Sequence, residues 1–166
     1  MVTPEDFRRV LGHFATGVTV ITTTDAEGRA TGLTVSAFCS VSLDPPQVLV
    51  CIDHKSQSYP ALRDRGRFAV NILSAEHEHV SRRFATTRLD KFEGIPHTVG
   101  RLGVPLIEGA LAQLECRTVS QHVEGDHTIL VGVVEEARYG AGEPLLYYRG
   151  QYGRLAAASP SAGAGS

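Results

Sequence analysis

Hydroxyl groups recur through residues 32–46, GLTVSAFCSVSLDPP, at Thr34, Ser36, Ser40 and Ser42. In extended chain, residues an even number apart share one face of the strand. That face would carry a row of hydroxyls beside backbone N–H groups. Together they suit a phosphate or the ring carbonyls of a flat heterocycle. The plainer alternative is a Ser/Thr strand facing water. A second segment, CIDHKSQSY at 51–59, sets Lys55, Ser56 and Ser58 just before a short helix. A helix N-terminus with hydroxyls and a lysine suits an anion, though Ser58 could be an ordinary cap. The third segment, EGDHT at 124–128, puts His127 at the mouth of a hairpin. Imidazole can hold or release a proton near neutral pH, but a histidine at a turn is often merely exposed.

The elements that must position these groups follow from periodicity. Thr3 caps a helix that opens Pro4-Glu5-Asp6, with acids at the positive end of its dipole. Phe7, Val10, Leu11 and Phe14 then form one apolar stripe, and Gly17 ends the helix. Residues 18–24, VTVITTT, are β-branched and read as a strand, and 29–42 returns as extended chain after the turn at 25–28. Pro45 and Pro46 break the ladder. QVLVCID and RFAVNIL are further strands, and Ser58 and Ser74 each precede a predicted helix. Residues 86–109 read as an irregular loop. Two long strands then meet at the 124–126 turn, and LLYYRGQYGRL supplies the last strands. Many short strands with few helices predict a mainly β fold, an antiparallel barrel with helices packed on it. The domain is expected over 1–155, followed by a disordered tail of small residues at 156–166.

Composition narrows the function. With 42% hydrophobic residues, 20% charged residues and a net charge of −2, the chain reads as an ordinary globular protein. No basic field invites nucleic acid or an anionic membrane. No signal peptide or membrane span is visible, which predicts a cytoplasmic protein. Cys39, Cys51 and Cys116 are far apart among apolar neighbours and are expected as buried thiols on strands. No G-x-G-x-x-G opens a helix and no G-x-S-x-G elbow occurs. His77 and His79 are two residues apart on a predicted helix, a spacing that suits a solvated surface rather than a zinc pair, so no metal is expected.

The order and spacing of FRRVLGHFATGVTVITT, GLTVSAFCSVSLDPP, RFAVNIL, RRFA followed by DKF, IEGALAQLEC, GDH and YYRGQYG resemble the short-chain flavin reductases. These are the reductase components of two-component flavin-dependent monooxygenases, and the likeness runs from about Phe7 to Leu155. It implies an FMN-binding type of split barrel with Greek-key-like connections and a homodimer. It also implies hydride transfer from NADH or NADPH to FMN or FAD, and a separate monooxygenase that receives the reduced flavin. NADH is favoured, since no arginine cluster for a 2′-phosphate stands out.

The resemblance also assigns roles. Flavin would meet the strand at Thr34, Val35, Ser36, Ala37 and Phe38, and the loop at Ile52, Asp53, Lys55, Ser56, Ser58 and Tyr59. Thr86 and Phe92 are expected nearby, with Arg82 or Arg83 at a phosphate. Tyr148, Arg149 and His127 would meet the nicotinamide nucleotide, His127 as the catalytic residue. Asp53 departs from relatives that carry a neutral or small residue there. Its carboxylate would repel a phosphate, which points it at the ring, the ribose or solvent. The flavin carries the redox chemistry, so the protein's task is geometry and fixed donors. A non-catalytic electron carrier or sensor on the same fold would need neither the GDH turn nor the YRG segment. A pyridoxamine-phosphate oxidase relative would need a basic phosphate cluster, which the sequence does not clearly show.

Overall fold

A computed structural model describes residues 1–156. Apart from Ala156, the tail expected at 156–166 lies outside the described residues. The first helix, α1 (Pro4–Leu11), begins as its sequence dictates, with the Thr3 side chain accepting the Asp6 N–H. Its apolar stripe does not enter the core. Phe7, Val10, Leu11 and Phe14 are all at least half exposed, Phe14 at 72%. An apolar helix face is buried only where the chain supplies a partner, and among the described residues no element covers it.

The strands follow in order: β1 (Thr16–Gly17), β2 (Thr19–Thr24), β3 (Ala30–Val35), β4 (Phe38–Leu43), β5 (Pro46–Asp53) and β6 (Arg67–Ile72). Helix α2 (Tyr59–Asp64) lies between β5 and β6, and a 3-10 turn, Ala75–His77, leads into α3 (Glu78–Phe84). Then come β7 (His97–Val99), β8 (Pro105–Ile107), β9 (Ala112–Glu124), β10 (His127–Tyr139), β11 (Leu146–Tyr148) and β12 (Gln151–Gly153). The segment 86–109, expected as an irregular loop, therefore carries the β7–β8 hairpin, and β8 is fully buried.

Seven strands form one antiparallel sheet in the order β3-β2-β6-β9-β10-β5-β4. Its two edge strands, β3 and β4, are joined by only Ser36 and Ala37. Three peptide steps span at most about 11 Å. The edges of a flat seven-stranded sheet would stand about 29 Å apart. The link is short enough only if the sheet rolls up, so the fold is a split β-barrel whose seam lies at Ser36-Ala37. The extended run expected over 29–42 is thus two strands on opposite edges. The row of hydroxyls is broken as well. Thr34 sits on β3, Ser40 and Ser42 sit on β4, and a register shift between Ser40 and Ser42 interrupts their alternation. The break expected at the prolines is a tight hairpin, with Leu43 paired to Pro46.

Alternation along the strands fills the barrel. Ile21, Val50, Ile52, Phe68 and Leu130 are fully buried in one cluster. A second cluster beneath α3 includes Val18, Val20, Leu73, Phe84 and Ile107. Asn71, wholly buried, joins the two regions. Its Nδ2 donates to the Val20 carbonyl and the Thr22 hydroxyl, and its Oδ1 accepts the Ile107 N–H at 2.8 Å. Cys116 is buried as expected, Cys51 is half-buried, and Cys39 is exposed because β4 is an edge strand. His77 is half-buried, its ring against Gly109 and its Nδ1 at 3.2 Å from Ser74 Oγ, rather than on a solvated surface.

Candidate functional site

The seam has a direct chemical consequence. Ser36 and Ala37 lie between two edge strands, and among the described residues their amide N–H groups have no hydrogen-bond acceptor. The Ala37 carbonyl is used, accepting the Cys51 N–H at 3.1 Å. Two neighbouring free donors therefore stand at an exposed sheet edge. They open onto a largely apolar cleft of about 1000 Å³, which Ser36, Ala37, Phe38 and Cys51 line from one side.

The rest of the lining comes from α1, the 12–17 segment and the β11–β12 hairpin, including Leu11, Phe14, Tyr147 and Arg149. The hairpin turns on Arg149-Gly150, with φ of 50° and 79°. Two left-handed residues in a two-residue loop make a type I′ turn. Arg149 is the only non-glycine residue with positive φ among the described residues. That conformation costs of order 1 kcal/mol. The hairpin is anchored where the Arg149 N–H donates to the Gly12 carbonyl at 2.9 Å. Strand alternation sends Tyr148 away from the cleft, edge-on to His13 with ring centroids 6.1 Å apart. Tyr147, which the sequence reading did not single out, takes the place in the lining expected of Tyr148.

His127 pairs with Asp53 across the β10–β5 ladder, one ladder step of about 7 Å beyond the Cys51–Ile129 pair on the same face. It stands outside the cleft wall. Its Nδ1 lies 2.7 Å from Asp126 Oδ1. A carboxylate only accepts, so Nδ1 carries the proton of this bond. The His127 hydrogen bond, with the imidazole's charge, lowers the Asp126 carboxyl below its ordinary range.

The loop after β5 is ordered by Asp53, whose Oδ1 accepts the Lys55 N–H at 2.8 Å. The Lys55 side chain is exposed and has no ion-pair partner among the described residues. Ser56 Oγ accepts the Ser58 N–H at 3.2 Å. Ser58 itself is buried and does not cap α2. Its hydroxyl donates to the Gly32 carbonyl and lies 2.8 Å from Thr31 Oγ1, pinning the loop to β3. Tyr59 is also committed inward, its hydroxyl 3.0 Å from Thr128 Oγ1 and its ring 4.7 Å from that of His54.

Several predicted contacts are structural in this chain. Val35 and Ile52 are core side chains, so only their backbone could face a ligand. Thr34 Oγ1 donates to the Ser81 carbonyl. Phe92 packs edge-on between Phe84 and His97. Thr86 Oγ1 turns back to the Arg83 carbonyl. Arg82 is held by Glu78 and lies over the Tyr152 ring at 4.8 Å. Among the described residues the Arg83 side chain makes one hydrogen bond, to the Glu93 carbonyl, which leaves guanidinium donors for an anion. Of the predicted residues, the structure brings Ser36, Ala37, Phe38 and Arg149 to one cleft and leaves the Lys55 loop and His127 beside it.

Comparison with known proteins explains this arrangement. The family model described as a flavin reductase like domain matches residues 11–156. The chain belongs to the flavin reductase-like family. It is 43% identical over 162 residues to an NADH-dependent flavin reductase of a Rhodococcus species, covering 93% of this chain and 88% of that protein. It is also 43% identical over 154 residues to HsaB, the reductase subunit of a flavin-dependent monooxygenase of Mycobacterium tuberculosis, covering 91% and 82%. Among solved structures, the Streptomyces globisporus NADH:FAD oxidoreductase SgcE6 in complex with NAD and FAD fragments superimposes with a TM-score of 0.88 at 39% identity, covering 98% of this chain and 99% of that one. The family's split barrel is the architecture described above.

Proposed function

We propose that this chain is an NADH-dependent flavin reductase that supplies reduced flavin to a separate monooxygenase. The observation that carries this reading is the pair of unpaired amides at Ser36 and Ala37, beside an apolar cleft that Arg149 also lines. A flavin ring needs an apolar slot and donors for its carbonyl oxygens. The seam provides both, so the residues present fit FMN or FAD as well as the relatives' names require. The flavin supplies the redox chemistry when bound, accepting the hydride of reduced nicotinamide.

The protein's own contribution is positional. The amides of Ser36 and Ala37 are fixed donors that need no reorganisation. Phe38, Leu11, Phe14 and Tyr147 give the cleft its apolar lining. Lys55, Ser56 and the free donors of Arg83 supply cationic and hydroxyl groups for a flavin phosphate. His127, held by Asp126, steers the nicotinamide from the rim. Asp53, bound to its own loop, faces that rim rather than a phosphate.

The reading includes a homodimer. The stripe Phe7, Val10, Leu11 and Phe14 is exposed on one protomer, and a second copy would cover it. It also includes a cytoplasmic location, where NADH and a reducing thiol pool are available. Among the described residues, no helix is long and apolar enough to cross a membrane.

The test is a kinetic matrix of NADH and NADPH against FMN, FAD and riboflavin, followed by oxidation of the pyridine nucleotide. Turnover with NADH and free flavin is the expected result. Flavin binding without nucleotide oxidation would instead identify an electron carrier or sensor.

A further inference from the structure

We infer that Arg8 is a second cationic residue of the cleft, and that with Arg149 it binds the pyrophosphate of the nicotinamide dinucleotide. The inference rests on the flavin reductase reading for the identity of the ligand and on geometry for the site. Arg8 lies in the last turn of α1 and lines the same cleft as Arg149. A chain of backbone bonds joins them. The Gly12 N–H donates to the Arg8 carbonyl, and the Arg149 N–H donates to the Gly12 carbonyl, each at 2.9 Å. A Cβ built on Gly12 would lie 3.2 Å from the Arg8 carbonyl oxygen and 3.6 Å from Arg149 Cα. The two arginines therefore belong to abutting elements, with Arg8 about one helical turn before the Gly12 that meets Arg149.

Their charges are uncommitted. Arg9, the neighbour of Arg8 on α1, pairs with Asp6. Neither Arg8 nor Arg149 has an acidic partner among the described residues. The first turn of α1 holds Glu5 and Asp6, but Arg8 bonds to neither. Two guanidinium groups on one wall of an apolar cleft match a ligand with two linked phosphates, which each can grip in bidentate fashion. FAD also carries a pyrophosphate. The position favours the nicotinamide donor, because Arg8 and Arg149 stand on α1 and the β11–β12 hairpin, elements separate from the sheet edges whose link carries the seam amides. With both arginines engaged by the pyrophosphate, neither is left for a 2′-phosphate, in keeping with NADH.

The test compares the wild type with Arg8→Gln, Arg149→Gln and the control Arg9→Gln. Steady-state kinetics with NADH, equilibrium binding of NAD+, and equilibrium binding of FMN and FAD are measured on each. Arg8→Gln and Arg149→Gln should each raise the NADH KM and weaken NAD+ binding about tenfold, equivalent to about 1.4 kcal/mol. Their FMN and FAD dissociation constants should stay within about twofold, and Arg9→Gln should match the wild type. Raising the ionic strength should increase the wild-type KM more than that of Arg8→Gln. Three outcomes overturn the inference for Arg8: an unchanged KM, a loss confined to FAD, or a lower solution mass that makes Arg8 an interface residue. A wild type that binds NAD+ through Arg8 but does not oxidise NADH overturns the proposed function and leaves the binding site standing.

Discussion

His127 Nδ1 sits 2.7 Å from the Asp126 carboxylate, and the same histidine faces Asp53 across the ladder. Asp126 thus holds the imidazole, and the ladder to Asp53 holds the strand that carries it. The first prediction concerns its use. His127→Ala should lower kcat/KM for NADH by at least about tenfold, by removing a positioning contact. The flavin dissociation constant should not move. Stopped-flow reduction together with flavin titration checks this, and an unchanged kcat/KM removes His127 from the mechanism.

The seam donors give a sharper contrast. Ser36→Ala removes a hydroxyl but keeps the amide, so flavin affinity should hold within about twofold. Ala37→Pro deletes one free N–H without costing a ladder bond, since that N–H has none. Flavin binding should weaken about tenfold, the worth of one lost hydrogen bond to a polarised acceptor. Fluorescence titration with riboflavin reads this apart from any phosphate contact. A loss confined to Ser36→Ala would show that the side chain, not the backbone, does the binding.

Burial of Cys116, reinforced by the charges of Glu115 and Glu135, pushes its thiol up to about 12. The unfolded chain would lose that proton first as the pH rises. The stabilisation is complete below the ordinary thiol range and is lost through the window from about 9 to 12. Within it the slope approaches about 1.4 kcal/mol per pH unit. Urea unfolding of wild type and Cys116→Ala at a series of alkaline pH values should show the wild type losing stability faster. Parallel curves would reject the assignment.

Asn71 tests the link between the barrel and the 104–107 segment. Asn71→Leu fits the site by size but strands the Ile107 N–H and the partners on β2. The expected cost is about 2–4 kcal/mol, measured as a lower urea midpoint with an unchanged m-value. A loss below 1 kcal/mol would mean that water replaces the amide.

Much of the barrel was legible in sequence because a period of two survives wherever one face is buried. QVLVCID, RFAVNIL and the long pair around Gly125 all formed the strands they predicted. The Thr3 cap was equally plain, since it depends on local contacts alone. What could not be read was the outcome of competition at a distance. Phe7, Val10, Leu11 and Phe14 carry a core-like stripe, yet whether a partner exists is a property of the whole fold. Ser36 and Ala37 look like strand residues, and only the rolling of the sheet makes them a break. Tyr147 and Tyr148 are identical in type, and the register of a three-residue strand decides which one meets the cleft. Ser58 had the position of a helix cap but found a better acceptor in Gly32. Arg8 carried no signal at all, because its importance comes from Arg149, more than a hundred residues away.

Because the seam's donors belong to the main chain, on the proposed reading the 36–37 segment can exchange its side chains, proline apart, and still bind a flat polar ring, as long as the sheet stays rolled. Drift there would alter which ligand edge is favoured without abolishing binding. The converse is stricter: a single inserted residue that let the β3 and β4 edges pair with each other would silence both amides at once, leaving a well-folded barrel with nothing to hold.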